Sequence, residues 1–78
     1  MNGEICKNFA TKLQEIRKLK GLTKGQLSSA ADCDMSYIGK IERCEKFPNI
    51  KMIEKLADAL GVHVKDLFDF EYDFGKDK

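Results

Sequence analysis

Apolar residues recur along most of the chain at intervals of three and four, the spacing that places side chains on one face of an α-helix. Gly21 follows the first stripe as a C-terminal cap, and Thr23 with Gln26 opens the second as a capping box. The apolar positions of the long stripes are Ile5, Phe9, Leu13, Ile16 and Leu19, then Leu27, Ala30 and Ala31, then Ile50, Ile53, Leu56, Ala57 and Leu60. The pattern predicts an all-α domain with five helices, near residues 4–20, 24–31, 35–43, 50–60 and 64–68.

The period changes near the C-terminus, where residues 68–74 read FDFEYDF. Aromatic residues alternate with acidic ones, which is the period of two expected for a β-strand with one apolar face. A disordered acidic tail is the alternative, because terminal segments with few contacts are commonly unordered. We therefore divide the chain into a helical domain, residues 1–68, and an acidic, aromatic tail, residues 69–78, that forms a short strand or stays disordered.

The third predicted helix has an unusual face. If residues 34–43, DMSYIGKIER, are stepped at about 100° per residue, Tyr37, Ile38 and Ile41 fall on one side. The opposite side is neither a core face nor an ordinary charged surface, since it carries Met35, Ser36, Gly39, Lys40 and Arg43. Glycine costs about 1 kcal/mol relative to alanine inside a helix. We interpret this face as one that a partner approaches closely.

Composition and charge narrow the possible partners. The 78 residues carry a net charge of +1, but residues 1–65 have a balance of +4 and residues 66–78 a balance of −3. A mildly basic body is compatible with a polyanionic partner without requiring one. The chain has neither an apolar run of the roughly 18 residues that a membrane span needs nor a signal-peptide core, so we expect a cytoplasmic protein with no membrane partner.

The cysteine and histidine residues of the chain do not form the patterns expected of a catalytic or metal site. Cys6, Cys33 and Cys44 are odd in number and form no C-x-x-C pair, which predicts reduced structural thiols rather than a disulfide framework or a zinc site. Basic neighbours favour the thiolate of Cys44, whereas a helix C-terminus disfavours it, so redox sensing there is a minor alternative. His63 is the one histidine, and no nucleophile constellation or phosphate-binding loop accompanies it. We expect no enzyme activity, cofactor, metal or small-molecule ligand.

Residues 9–68 resemble the Cro/repressor-type helix-turn-helix family, also called the Xre family. The matching stretches are LQEIRKLKGLTKGQLSSAADCDMSYIGKIER, PNI and IEKLADALGV. The resemblance implies a five-helix repressor-like fold and a sequence-specific, double-stranded DNA-binding regulator of transcription, a repressor or a controller protein. It also implies an ion pair between Arg17 and Glu42. The pattern agrees on Glu42, because a carboxylate at the edge of a buried face is costly without a partner.

The resemblance also implies roles for the odd face of the third helix and its surroundings. Met35 and Ser36 map to family positions that contact base edges. From their own chemistry, Gly39 lets the backbone sit deep in the DNA groove, and Lys40 can reach a guanine or a phosphate, so all four are predicted to read bases. The positions that contact phosphate are Thr23, Lys24, Tyr37 and Arg43. The alternatives are solvated side chains for Lys24 and Lys40, a core position for Tyr37 and packing under the turn for Met35. Because the base-reading positions lack Arg, Asn and Gln, we predict modest direct readout, helped by DNA shape.

Two departures from the family pattern concern the backbone. Asp32 stands where a glycine usually makes the turn, and aspartate tolerates the left-handed conformation. Cys44 stands where a glycine usually follows the third helix, and a cysteine there is strained if its φ is positive.

The family commonly binds DNA as a homodimer, and the resemblance implies one here, formed through the last helix on an inverted-repeat operator. The candidate interface residues are Val64, Leu67 and Phe68, extended by Phe70, Tyr72 and Phe74 if the tails pair as strands. Alternatively, the tail folds back on its own core or binds another protein. In that second case the chain is a protein-interaction module, such as an antitoxin-like or regulator-binding subunit.

Overall fold

The computed structural model describes residues 3–71, which form four α-helices and a final 3-10 helix. The helices are α1 (Gly3–Leu19), α2 (Lys24–Ala30), α3 (Met35–Glu42) and α4 (Ile50–Leu60), and the 3-10 helix spans Val64–Phe68. The predicted all-α class is confirmed, and the predicted ends are close to the observed ones. The fifth element differs from the prediction, since it is a single 3-10 segment rather than an α-helix. No helix in the described range is long and apolar enough to cross a membrane.

Side-chain hydrogen bonds define the starts of two helices. The Thr23 hydroxyl accepts the Gln26 backbone N–H at 3.0 Å, and the Gln26 side chain accepts the Thr23 N–H at 2.8 Å, which completes the predicted capping box. The Asn49 side chain accepts the Met52 N–H and opens α4. Asp34 occupies the N-cap position of α3, but its side chain makes no capping hydrogen bond. These local contacts account for most of the agreement between predicted and observed helix starts.

Four residues in left-handed conformation end the α-helices or turn the chain. Gly21 and Gly61 have φ of +73° and +71°, as expected for glycine after a helix. Asp32 after α2 and Cys44 after α3 have φ of +58° and +62°. Both non-glycine residues therefore hold the backbone conformation for which the family usually employs glycine.

The core draws side chains from all five helices. The largest fully buried side chains are Phe9, Leu13, Leu27, Ile38, Ile41, Ile53, Leu56 and Leu67. The Phe9 ring lies 5.0 Å from that of Phe47 and 5.1 Å from that of Phe68, measured between centroids. Burying each such side chain contributes roughly 1.5–3 kcal/mol, so this cluster supplies the main driving force for folding.

Three apolar residues of the long predicted stripes are exposed rather than buried. Leu19 and Ile50 are 85% and 74% exposed, and Ala30 is also exposed. Each of them is the first or last residue of its helix, where the helix extends past its neighbours. In α1 the buried position one turn after Leu13 belongs instead to Arg17, which is 6% exposed.

The start of the tail does not form the predicted strand. Phe68 belongs to the 3-10 helix, and Phe70 follows in a bend with its ring centroid 6.2 Å from that of Phe68. The Phe70 N–H donates to the Phe68 carbonyl at 2.9 Å, and this tight turn is incompatible with an extended strand. The strand is therefore absent as far as residue 71, and Tyr72 and Phe74 lie outside the described residues.

A buried ion pair connects α1 to α3. Arg17 Nε donates to Glu42 Oε2 at 2.7 Å, and Nη2 donates to Oε1 at 3.1 Å. The remaining nitrogen, Nη1, donates to the Leu22 carbonyl at 2.8 Å. The two charged side chains are 7% and 2% exposed. The predicted partners thus meet in a bidentate pair that also ties down the turn after α1.

Two of the three cysteines are paired, contrary to the prediction of reduced thiols. Cys6 of α1 and Cys44 after α3 form a disulfide, and their Cα atoms are 5.9 Å apart. Packing of α1 against the end of α3 brings together residues that are 38 positions apart, which spacing along the chain does not reveal. Cys33 is a free thiol.

We predict that Glu42→Ala lowers the free energy of unfolding by about 3 kcal/mol, because it leaves the Arg17 guanidinium buried without its counter-charge. Glu45→Ala is the matched control, since Glu45 pairs with Arg43 at an exposed site and such pairs contribute little to stability. Urea denaturation of both variants at neutral pH measures the difference. Equal, small losses would contradict a structural role for the buried pair.

We also predict that, in the presence of a reducing agent, Cys44→Gly is more stable than Cys44→Ala by about 1 kcal/mol, since only glycine adopts positive φ without strain. Neither Cys44 variant can form the disulfide with Cys6, and the reducing agent removes it from the Cys33 variants that serve as controls. The same pair of substitutions at Cys33, which does not have positive φ, should show the opposite order. Urea denaturation again provides the measurement, and an Ala variant at position 44 as stable as the Gly variant would contradict the prediction.

Candidate nucleic-acid interface

α2 and α3 are joined by a short turn that fixes their relative position. The Asp32 N–H donates to the Ser29 carbonyl at 3.2 Å, and the Cys33 N–H donates to the Ser28 carbonyl at 2.9 Å. Leu27 and Ile38 are fully buried and anchor the inner faces of the two helices. The outer face of α3 is consequently held towards solvent as a rigid surface.

The predicted base-reading residues come together on this outer face. They share a shallow groove with one residue of α2 and with the residue that follows α3, and its lining is Lys24, Met35, Ser36, Gly39, Lys40 and Arg43. Met35 is 59% exposed, although its Sδ would lie only 3.5 Å from a Cβ at Gly25. Met35 therefore packs beside the start of α2 and still offers its side chain to a partner.

Positive charge dominates the groove. Lys24, Lys40 and Arg43 contribute three cationic groups, and no carboxylate is part of its lining. On the turn side, exposed Asp32 and Asp34 border a neighbouring depression instead. The local charge thus favours a polyanion between the start of α2 and the end of α3 rather than over the turn.

Arg43 does not extend away from α3 but lies back across Gly39. A Cβ at Gly39 would be 3.0 Å from Arg43 Nη1 and 3.8 Å from Cζ. Arg43 Nε and Nη2 donate to Glu45 Oε2 and Oε1 at 2.7 and 3.3 Å. This hydrogen bond raises the pKa of Arg43 and lowers the pKa of Glu45, so both groups are charged at neutral pH.

Two of the predicted phosphate-contacting residues lie beside the groove rather than in it. Thr23 is exposed next to Lys24, where its hydroxyl caps α2. Tyr37 is half-buried and faces a second depression, which is lined also by the start of α4. Lys51 and Lys55 of α4, which line this depression, were not identified from the sequence. Their spacing of four places them on one helix face, but their proximity to Tyr37 depends on how α4 packs.

The predicted dimer residues have different environments. Val64 is 40% exposed, and Phe68 and Phe70 are partly buried. Leu67 is fully buried in the core of the protomer, so its side chain has no surface left for a second copy. An apolar surface for self-association would therefore consist of Val64, Phe68 and Phe70, with Leu67 supporting it from beneath.

Comparison with known proteins gives a consistent result. The helix-turn-helix family model matches residues 13–67. The chain is 37% identical over 71 residues to control protein C.BamHI from Bacillus amyloliquefaciens, covering 90% of this chain and 88% of that protein. It is 38% identical over 53 residues to the immunity repressor protein of Bacillus phage phi105, covering 68% of this chain but 37% of that protein. The crystal structure of the restriction-modification controller protein C.AhdI from Aeromonas hydrophila superposes with a TM-score of 0.79 at 35% identity, covering 81% of this chain and 96% of that one.

The free thiol beside this face yields a test of its environment. Burial, and after it the Asp34 carboxylate, raises the pKa of Cys33. Since the thiolate is the reactive form, we predict that at pH 8 iodoacetamide alkylates Cys33 more slowly in the native protein than in urea. The difference between the two alkylation rates should shrink as the pH rises past the pKa of Cys33 in the native protein and its pKa in the unfolded chain. Trypsin releases residues 25–40, so mass spectrometry can follow Cys33 alone, and an equal rate in both states at pH 8 would contradict the prediction.

Proposed function

Because the chain belongs to the helix-turn-helix family and is a DNA-binding regulator, we propose that it acts as a homodimer on an inverted-repeat operator, as a repressor or a restriction-modification controller. The observation that carries this proposal is the cationic groove along α3. Three basic side chains line the groove, from the start of α2, from α3 and from the residue after α3. Small and apolar groups of α3 lie between them, and the inner face of that helix is buried. That combination suits entry into the major groove of double-stranded DNA.

The residues of the groove divide into roles by their chemistry. Met35 can contact a thymine methyl group, and Ser36 can exchange hydrogen bonds with several base edges. Gly39 carries no side chain of its own, so the middle of the outer face has room for the Arg43 guanidinium that lies across it. Lys40, one turn after Ser36, can reach guanine O6 and N7 or a phosphate.

Phosphate contacts are proposed on both sides of α3. On one side, Lys24 and the adjacent Thr23 lie at the start of α2. On the other side, Lys51 and Lys55 of α4 line a depression together with Tyr37. Cations on opposite sides of the inserted helix can bind the two strands that flank the major groove, which fixes the orientation of the protein but conveys no base identity.

A single α3 covers only a few base pairs, so a second copy would extend the recognised sequence. The partly exposed apolar surface of Val64, Phe68 and Phe70 supports such an assembly. Two-fold related copies would place their α3 helices about one DNA turn apart, which corresponds to an inverted repeat. The similarity to controller proteins over most of their length supports the proposed role as a controller.

We predict that selection from a random duplex library enriches an inverted repeat, and that the logarithm of its binding constant falls linearly with the logarithm of salt concentration. Lys24→Ala should weaken binding about equally for selected and unselected duplexes and should reduce the salt slope by about 1 per protomer, because a phosphate contact is lost. Fluorescence anisotropy with labelled duplexes measures both effects.

Lys12→Ala is the matched control for this experiment. Lys12 lies on α1 with its Nζ 3.6 Å from Glu15, so its removal should leave the salt slope unchanged. If no sequence is enriched and binding stays weak and insensitive to salt, the operator proposal fails. The protein-interaction module would then be the better interpretation.

A further inference from the structure

We propose that Arg43 reads a guanine in each half-site, and that Gly39 and Glu45 position its guanidinium for that contact. The inference rests on the proposed operator binding and gives a base-specific role to a residue whose place at the end of α3 predicted only a phosphate contact. It also changes the expected readout, since the four base-reading positions predicted from sequence include no arginine.

Gly39 makes room for the Arg43 guanidinium on the outer face of α3. It is buried although it belongs to the outer face of α3, because the Arg43 guanidinium covers it. A Cβ at this position would meet Nη1 at 3.0 Å, so alanine would shift the guanidinium by a few tenths of an ångström and a larger residue would shift it further. The absence of a side chain thus allows a residue one turn further along to place its donors over the middle of the face. That is where a helix in the major groove meets base edges.

Glu45 holds one edge of the Arg43 guanidinium and leaves another edge free. It accepts hydrogen bonds from Nε and Nη2, which form the side edge of the group. Nη1 makes no hydrogen bond within residues 3–71, so the end edge, formed by Nη1 and the second Nη2 proton, remains available. Two parallel donors in a fixed plane match guanine, whose major-groove edge presents the acceptors O6 and N7. Adenine presents one acceptor and one donor there, so it would lose one of the two bonds.

The charge of the pair argues against phosphate as the main target. Glu45 lies 2.7 Å from Arg43 and offsets part of its charge, and its own carboxylate would repel a nearby phosphate. A phosphate contact needs neither a glycine at position 39 nor a guanidinium held in a fixed plane. The pair contributes little to stability, since its side chains are 56% and 52% exposed. Its clearest effect is therefore on the orientation of the arginine.

The test is selection from the random duplex library with the full chain and with Arg43→Lys, Gly39→Ala and Glu45→Gln. Arg43→Lys keeps the charge but loses the planar pair of donors. We expect the wild-type operator to contain a fixed guanine in each half-site, and Arg43→Lys to lose about tenfold or more of the preference for guanine over adenine at that position. Gly39→Ala should lower the preference at the same base pair by a smaller factor, because its Cβ shifts the guanidinium of an intact Arg43 only by a few tenths of an ångström. The salt slope should stay close to that of the wild type in both variants.

Glu45→Gln separates positioning from charge. Removal of the carboxylate should strengthen binding to all duplexes while the preference for guanine at this one position falls. Glu54→Gln on α4 removes the same charge from an exposed site outside the groove, and it should leave that preference unchanged. If Glu45→Gln strengthens binding but keeps the preference, Glu45 does not position the arginine.

Three further outcomes distinguish this inference from the proposed function. If the wild type enriches an operator and Arg43→Lys selects the same bases with the same preferences, the guanine contact is overturned while operator binding stands. The same conclusion follows if the wild-type operator has no fixed guanine, or if Arg43→Ala weakens all duplexes equally and reduces the salt slope. If the wild type enriches no sequence at all, both proposals fail together.

Discussion

The orientation of α3, the helix that carries the candidate interface, depends on the buried pair between Arg17 and Glu42. Glu42 is the last residue of α3, and both of its oxygens are bound by a guanidinium that projects from α1. The third nitrogen of the same group holds the turn before α2 through the Leu22 carbonyl. A shift of α3 along or around its axis would leave a charge buried without a partner, which costs several kcal/mol. The Arg17 side chain therefore holds both the start of α2 and the end of α3, which are the two ends of the cationic groove.

Local chemistry made the secondary structure predictable. The capping box at Thr23 and the Asn49 cap involve residues three apart in sequence, and both form as expected. Apolar spacing identified the fully buried residues of every helix but misassigned Leu19 and Ile50, because spacing alone does not show where a helix loses contact with its neighbours. Alternating aromatic residues at 68–74 suggested a strand, yet the packing of Phe68 against Phe9 holds it in a 3-10 helix.

Contacts between distant segments were harder to predict. The Cys6–Cys44 pair and the position of Lys51 and Lys55 beside Tyr37 arise only when α1 and α4 pack against the other helices. The Arg17–Glu42 pair also joins distant segments, 25 positions apart, but the family resemblance supplied it. The resemblance also marked Cys44 as a departure from glycine, and its φ of +62° agrees with that expectation. For the candidate interface, residue identities and general location were accessible from sequence, whereas the conformation of Arg43 over Gly39 was not.

The balance of charges around the groove suggests how a protein of net charge +1 can select a sequence. Non-specific affinity for DNA grows with the number of phosphates neutralised, whereas specificity depends on the difference between right and wrong bases. Carboxylates at Asp32, Asp34 and Glu45 lie close to the cations of α3, so the net attraction for any duplex is limited. Under those conditions a correctly placed hydrogen bond to a base forms a larger fraction of the binding free energy. The acidic neighbours of the groove thus favour discrimination over affinity, and the pairing of Arg43 with Glu45 is the most direct example of that balance.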